Sequence, residues 1–358
     1  MARHLGRGEA LSATNPQLDA FTLNDGTLAD PFSLTFEVLD VSDAEKRGTP
    51  VQVAAPTAVN LTADKVGLGH FAASWTVPST ASLGRHFIVW RMVLVEGGPV
   101  VEWAQPFDVV GSRLLVPRGV ELLALVSDVR AEGVPAATED GRILEQISTA
   151  SRELVQWTGR PSFTPQARTV ALDAPDARAL LLDEAVIAVE SISIGDRPLP
   201  LSAFVVYNRQ VRGLTGEDDR DNPKIELRES ASTIDEWSWR WPTTWEGFVL
   251  RSSIKQKVVV KGVWGYTEAD GSPAGGTPAM ARYVVVRMAL RTLPKQGRSG
   301  AQAERDGHLV TNLRTREQSI SWARPVNTAY AGLATFTGDP DIDGKILRLQ
   351  RPFGGAMA

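Results

Sequence analysis

The sequence predicts an α+β multidomain protein: an N-terminal all-β sandwich, followed by a domain of helices plus an antiparallel β-sheet. Residues 18–112 alternate apolar and polar side chains with a period of two, and they contain no segment of helical period. Helical periodicity is strongest later, in residues 139–157 and 279–293. The charge also divides, because the first 112 residues carry −5 and the remainder +1. These three observations place a domain boundary near residue 112.

The chain length agrees with this division, because 358 residues exceed one typical domain of about 150 residues. The pair Gly111-Ser112 supplies a hinge at the boundary. The predicted parts are a polar N-terminal arm (1–17), the β-sandwich (18–112), an α+β core (113–294), and a loop with a C-terminal docking segment (295–358).

Within the first domain, Phe32, Leu34, Phe36 and Val38 alternate with mostly polar residues and indicate a half-buried strand. Residues 86–95 form a longer strand of the same kind. Further strands are predicted at 70–75 and 107–110, and Gly-, Pro- and Asn-rich turns separate the segments. Short alternating strands at this spacing are typical of a β-sandwich.

In the second domain, the apolar stripe Ile143, Leu144, Ile147, Ala150, Leu154 and Val155 predicts a helix over 139–157. Thr138 or Asp140 can cap this helix, and Gly159 stops it. A second helix is expected over 279–293, opened by Pro278. A short helix starts at Asp339-Pro340. Strands are predicted between the first two helices, at 168–173, 179–182, 187–194, 203–207, 224–228 and 256–264.

Composition excludes several function classes. The chain has no cysteine and only four histidines, none at a metal-ligand spacing such as HxxxH. A net charge of −4 argues against a dedicated nucleic-acid binder. The sequence also shows no signal peptide, membrane span or catalytic motif. We therefore expect a non-enzymatic protein with no catalytic residue, no cofactor and no metal, although a hydrolase using Asp or Glu at an unrecognised site remains an alternative.

The segment Asp339-Pro-Asp-Ile-Asp-Gly344 matches the first half of an EF-hand calcium loop. The twelfth position, where such a loop needs a bidentate acid, is Gln350, so the match is incomplete. The favoured interpretation is a helix N-terminus, where aspartate satisfies free N–H groups.

Two sets of apolar residues are candidate interface residues. Trp237, Trp239 and Trp241 share one face of an extended strand, which can cover a sheet, anchor a subunit interface, or stack on sugars or bases. Ile342, Ile346 and Leu349 share one face of a helix too short to be stable alone. Its partner surface can be the same subunit, the adjacent one or the next ring, and we favour an intersubunit or tail-side contact.

Two strands of the first domain carry a resemblance. Residues Gly67 to Trp75 read Gly, aromatic, Trp, and Gly84 to Trp90 repeat a Gly-led aromatic strand with a central Trp. This pattern resembles the immunoglobulin-like modules of phage structural proteins.

Residues 120–358 resemble the head-to-tail connector (adaptor) proteins of tailed bacteriophages. A short segment, Val120 to Arg130, is followed by a helix ending in Trp157-Thr-Gly-Arg160. After it come Val189 to Asp196, a Gly-Tyr strand from Val258 to Tyr266, the Pro-led helix 278–293 and the terminal helix from Gly338 to Arg348. The immunoglobulin-like domain and the insertion at 208–256 depart from the family pattern.

The resemblance implies a structural virion protein of the neck, made in the host cytoplasm. Such proteins form a ring of twelve copies under the portal protein, extend the DNA channel and provide a platform for tail or stopper proteins. DNA would pass without sequence-specific binding, and the immunoglobulin-like domain would contact capsid or neck neighbours. The alternative is a carbohydrate-binding or host-adhesion virion protein that uses the Trp-rich strand and the β-sandwich.

Overall fold

The computed structural model shows a mixed α+β chain in which strands hold more residues than helices. It describes residues 3–15, 18–24, 27–42, 50–117, 119–173, 179–195, 197–207, 211–212, 217–218, 223–227, 258–293, 312–314, 319–321 and 336–350. The strands lie in several sheets, so the predicted α+β class is confirmed at this level.

The N-terminal region, residues 3–110, is built from strands. They are β1 Arg3–Gly6, β2 Asp19–Phe21, β3 Leu23–Asn24, β4 Thr27–Leu28, β5 Ser33–Asp40, β6 Val51–Ala58, β7 Lys65–Gly67, β8 His70–Ala72, β9 Gly84–Val93 and β10 Val100–Val110. Five of them form a sheet in the order β1-β10-β9-β5-β6, and β2-β8-β7 form a second sheet. Between the two sheets lies one core that includes Phe36, Phe71, Trp90 and Phe107.

The segment predicted as an arm differs from the prediction. Strand β1 pairs in parallel with β10, and Leu5 is fully buried in the core beneath the sheet. The segment is short and polar, and its pairing partner lies about a hundred residues away. Such a long-range pairing leaves no local pattern in the sequence.

Strand β10 is also longer than predicted, because it begins at Val100 and continues through Pro106. Strand β9 pairs with it from Val100 to Val109, whereas β1 pairs only with its last four residues, from Phe107 onward. Proline lacks only the donor of one ladder bond, so β9 can still hold the segment around Pro106 extended. Because of Pro106, the sequence predicted only the last part of this strand.

The C-terminal region, residues 113–350, contains four helices in its described part. They are α1 Val126–Ala131, α2 Asp140–Thr158, α3 Ala279–Ala289 and α4 Pro340–Leu349. Short 3-10 turns lie at Arg113–Leu115 and Leu201–Ala203. None of these helices is long and apolar enough to cross a membrane.

The strands of the C-terminal region form small sheets. They are β11 Gln166–Leu172, β12 Ala179–Leu181, β13 Val186–Ile194, β14 Arg197–Leu199, β15 Phe204–Tyr207, β16 Val211–Arg212, β17 Glu217–Asp218, β18 Lys224–Leu227, β19 Val258–Trp264, β20 Asn312–Arg314 and β21 Ser319–Ser321. The largest sheet has the order β11-β19-β13-β14 and is antiparallel throughout. A second has the order β12-β18-β15, and the apolar faces of the two sheets share one core.

Helices α2, α3 and α4 pack together around a separate core of the C-terminal region. The predicted stripe of α2 supplies Ile143, Leu144, Ile147, Ala150 and Leu154 to it. Helix α2 begins after Glu139, which makes no side-chain cap, rather than after a capping Thr138 or Asp140. It ends as predicted at Gly159, whose φ of +65° is the left-handed conformation that glycine adopts without strain.

Candidate functional site

The best-defined polar site in the C-terminal region is the joint that holds helix α4. At its centre Arg160 is 5% exposed, although arginine is seldom buried without partners. Its Nε donates to the carbonyl oxygen of Leu349 at 2.6 Å, and its guanidinium carbon lies 3.7 Å from the centre of the Tyr266 ring. A buried cation thus meets a free helix carbonyl and an aromatic face, both of which favour positive charge.

The residues before Arg160 complete this α4 joint. Thr158 Oγ1 donates to Leu154 O at 2.7 Å, which closes the last turn of α2, and Trp157 packs on Phe336 just before α4. Gln350 Nε2 donates in return to Trp157 O at 3.0 Å. The Trp-Thr-Gly-Arg segment therefore connects the C-terminal end of α4 to the C-terminal end of α2.

The three candidate interface residues of α4 lie inside the chain. Ile342, Ile346 and Leu349 are at most 3% exposed and belong to the core that α2 and α3 also form. The favoured expectation of an intersubunit or tail-side contact is thus corrected for these side chains, because the same subunit supplies their partner surface. The physical reason is that α4 is held at both ends, by the α4 joint and by its own N-terminal cap.

That N-terminal cap confirms the helix-start interpretation of the Asp339 segment. Asp339 accepts from the backbone N–H of Asp341 at 3.0 Å, as an N-cap residue does. Asp343 turns back and accepts from the backbone N–H groups of Thr337 and Gly338. Asp341 instead binds Tyr283 and Lys345, so the three carboxylates serve different partners.

The other candidate set, Trp237, Trp239 and Trp241, lies outside the described residues. The segment that carries these tryptophans joins the end of β18 to the start of β19. Their role at an interface, in a core or on a ligand stays a prediction.

A second polar site joins the N-terminal region to helix α1, and sequence reasoning missed it. His4 Nε2 accepts from the N–H of Val126 at 3.2 Å, and Asp108 Oδ2 accepts from the N–H of Ser127 at 2.7 Å. Arg85 donates to Ser127 Oγ at 3.0 Å and forms an ion pair with Asp128. We call His4, Asp108, Arg85 and the start of α1 the junction network.

Burial shifts the titration of two members of the junction network in opposite directions. Desolvation, helped by the charge of Arg113, lowers the pKa of His4 to about 3, so the imidazole is neutral and free to accept a hydrogen bond. Desolvation raises the pKa of Asp108 to about 6, although Ser127 and Arg85 favour its ionised form. No local motif marks these residues, because strands far apart in sequence bring them together.

Two further carboxyl groups with raised pKa values bear on the enzyme alternative. Burial raises the pKa of Glu121, whose Oε1 accepts from Ser162 Oγ and from the Phe163 N–H. Burial also raises the pKa of Glu184, which is paired with Arg168. Both carboxylates bind residues in or just before β11, so a structural role accounts for their burial. Among the described residues no group of three or more His, Asp or Glu side chains could hold a metal ion.

The surface of the N-terminal region carries an apolar patch at the end remote from α1. Phe32, Val95 and Val100 are each more than half exposed. They lie together because Phe32 N donates to Leu94 O and Val93 pairs with Val100. We call these three residues the free-end patch.

One edge of the five-stranded sheet is also open in the described part of the chain. Strand β6 pairs only with β5, and its sequence Val-Gln-Val-Ala-Ala-Pro-Thr-Ala contains no charged residue. Soluble proteins usually protect such an edge with lysine or another charge, whereas here the protective features are Pro56 and the register shifts in the β5–β6 pairing.

Comparison with known proteins adds no assignment: no protein-family model matches this chain, and no curated protein matches it.

Proposed function

We propose that this protein is a structural virion protein, a head-to-tail connector subunit of a tailed bacteriophage, with an immunoglobulin-like sandwich at its N-terminus. The observation that carries the proposal is the ordered set of connector-like segments from Val120 to Arg348. Packing supports treating them as one unit, because the Trp157-to-Arg160 turn holds the terminal helix against α2 and α3. In this role the protein is no enzyme and needs no cofactor.

In this proposal copies of the chain form a ring, of twelve members by resemblance to the family, between the portal protein and the tail or stopper proteins. The uncharged edge of β6 and the free-end patch support a surface made for protein contacts. An edge strand can extend its sheet into a second chain, and exposed apolar side chains gain free energy when a partner covers them. The sandwich would also reach capsid or neck neighbours.

The charge balance supports a channel wall that lets DNA slide. A net charge of −4 means that Lys and Arg are in no excess to neutralise phosphates, and phosphate contacts dominate DNA affinity. DNA would therefore pass without sequence-specific binding, in the neck of the virion.

Electron microscopy of the purified full-length protein, alone and mixed with portal rings, tests the proposal. We expect rings of cyclic symmetry on the portal. The double variant Ala55→Lys/Ala58→Lys places charge on the β6 edge and should reduce ring formation, whereas Ala137→Lys, on an exposed turn of the C-terminal region, should not. A protein that stays monomeric under both conditions would contradict the ring.

A further inference from the structure

The chain exposes a second apolar patch, at the junction end of the five-stranded sheet. Leu114 is 86% exposed, the largest exposed fraction among the large apolar side chains that the structure describes, and its neighbour Leu115 is 41% exposed. We call these two residues the turn patch, because they lie in the 3-10 turn that follows β10. Adjacent exposed leucines form a surface that a partner can cover.

The backbone of the turn patch is held in place by its neighbours. Ser112 Oγ accepts from the N–H of Leu114 at 3.2 Å and caps the turn. Gly6 of β1 packs so closely on the turn that a Cβ there would lie 2.2 Å from Arg113 N. The two leucines are therefore presented on a fixed backbone, and such a surface loses little conformational entropy when a partner binds it.

The free-end patch and the turn patch lie at opposite ends of strand β10. The strand begins at Val100, a member of the free-end patch, and ends at Val110, four residues before Leu114. Its 11 residues span roughly 36 Å at about 3.3 Å per residue. One copy therefore cannot cover its own free-end patch with its own turn patch, whereas two copies arranged head to tail can do so.

A charged side chain of opposite sign stands beside each patch. Glu96 directly follows Val95 of the free-end patch. Arg142 follows Gly141 in the first turn of α2, and a Cβ on Gly141 would lie 3.3 Å from Leu115 Cδ2. An acid thus borders one apolar patch and a base borders the other.

Both of these charges are available to a partner. Glu96 and Arg142 are exposed, and neither side chain has an ion pair or a hydrogen bond among the described residues. Arg142 stays unpaired although Glu139 and Glu145 lie three residues to either side of it. Apolar patches with complementary charges at their borders are what a specific protein contact requires.

We propose that the free-end patch of one copy docks on the turn patch of a second copy, with Glu96 facing Arg142. Both apolar patches leave water in this contact, which lowers the free energy of the assembly. The contact deepens the proposed ring and rests on its premise that copies of this chain associate. Unlike patches can repeat around a closed ring, whereas docking of two identical free-end patches would stop at a two-fold dimer.

Cysteine cross-linking tests the contact, because the chain contains no native cysteine. We expect the full-length double variant Val95→Cys/Leu114→Cys, treated with a short bismaleimide alone and with portal rings, to give a ladder of covalent multimers on denaturing gels. Val95→Cys alone should stay monomeric. The matched control Val95→Cys/Leu181→Cys, whose second cysteine replaces another exposed leucine, should give no ladder.

The outcomes separate this contact from the proposed function. Rings seen by electron microscopy without the ladder would overturn the head-to-tail contact and leave the ring standing. A covalent dimer from Val95→Cys alone, or an equal ladder from the Leu181 control, would also overturn it. A ladder from a sample that contains only open filaments would support the contact and count against the ring.

Charge reversal gives an independent measurement of the same contact. Glu96→Arg should weaken self-association in sedimentation about fivefold, the upper value for an exposed ion pair, and the addition of Arg142→Glu should restore it. The matched control Glu96→Arg/Arg152→Glu reverses an exposed arginine further along α2 and should stay as weak as Glu96→Arg. Equal association of the two double variants would overturn the pairing of Glu96 with Arg142.

Discussion

The two ends of the five-stranded sheet differ in which side chains they bury. At the end next to α1, titratable groups are buried: His4 is 3% exposed and Asp108 is fully buried. At the other end, large apolar groups face solvent, and Phe32 is 54% exposed. Globular proteins ordinarily do the reverse at both places.

The difference shows which end already has its partner. His4 Nε2 and Asp108 Oδ2 each accept from a backbone N–H of α1, and Arg85 pairs with Asp128, so α1 compensates part of the burial of this network. His4 Nδ1 and Asp108 Oδ1 have no hydrogen-bond partner among the described residues. The free-end patch has no such compensation among the described residues, and a second molecule would have to provide it. The junction network connects the two regions, whereas the free-end patch is the surface that the proposed assembly would cover.

Replacing His4 with alanine should reduce stability more than any other change proposed for this sheet, because it disrupts the junction network. The variant removes the acceptor of a buried backbone N–H and leaves space in a packed region. We expect the free energy of unfolding to fall by about 2–4 kcal/mol. Denaturant unfolding measures this, with Val95→Ala at the exposed free end as the matched control, expected within about 0.5 kcal/mol of the parent protein.

The dependence of the free energy of unfolding on pH provides a second test of the junction network. The folded pKa of His4, about 3, lies below its usual 6.5, so its contribution is complete above pH 6.5 and is lost as the pH falls. The folded pKa of Asp108, about 6, lies above its usual 3.8, so its contribution is complete below 3.8 and is lost as the pH rises through 6. Between pH 7 and 5 the two contributions oppose each other.

Single variants should separate these opposed contributions. With Asp108→Asn, acidification from about pH 7 to 5 should change the free energy of unfolding by about 1 kcal/mol less favourably than in the parent protein, because the gain from Asp108 is removed. With His4→Gln, which keeps an acceptor, the same acidification should change it by about 2 kcal/mol more favourably than in the parent protein, because the loss from His4 is removed. Unfolding measured at both pH values checks the signs, and parallel slopes in the two variants would contradict the assigned titrations.

The middle of the sheet offers an intermediate case. Arg91 donates to Glu37 and Glu102 across three strands, at 2.6 Å each, but its side chain is 34% exposed. Solvent screens such a pair, so Arg91→Met should cost at most about 1 kcal/mol. Added salt should shrink the difference between parent and variant further. A larger, salt-independent cost would mean that this network acts as the buried junction does.

Local pattern predicted the α+β class and the positions of several elements. The strands around Val189 and Val260 and the stripe from Ile143 to Leu154 all lie within a few residues of their predicted places, because each has a strong period. The resemblance singled out Trp157 to Arg160, but only packing shows that Arg160 holds α4.

The remaining features depend on contacts between distant segments. Nothing near His4 or Asp108 in sequence indicates that both would meet α1, and the parallel pairing of β1 is equally long-range. Ile342 and Leu349 show the converse error, because an apolar stripe predicts burial but does not say against which surface.

The smallest effect on stability is expected at the free-end patch. Substitutions there should leave the free energy of unfolding almost unchanged and affect only association with a partner. The triple variant Phe32→Ser/Val95→Ser/Val100→Ser removes apolar surface that is already in water, so unfolding should change by less than about 0.5 kcal/mol per site. If a partner covers this patch in the virion, the variant should fold normally and yet fail to join particles in a complementation assay. Serines on the exposed turn 136–137 provide the control, since that turn lies in the C-terminal region. Normal incorporation of the triple variant would show that the exposed apolar end is not a contact, and the β6 edge would then be the remaining candidate on this sheet.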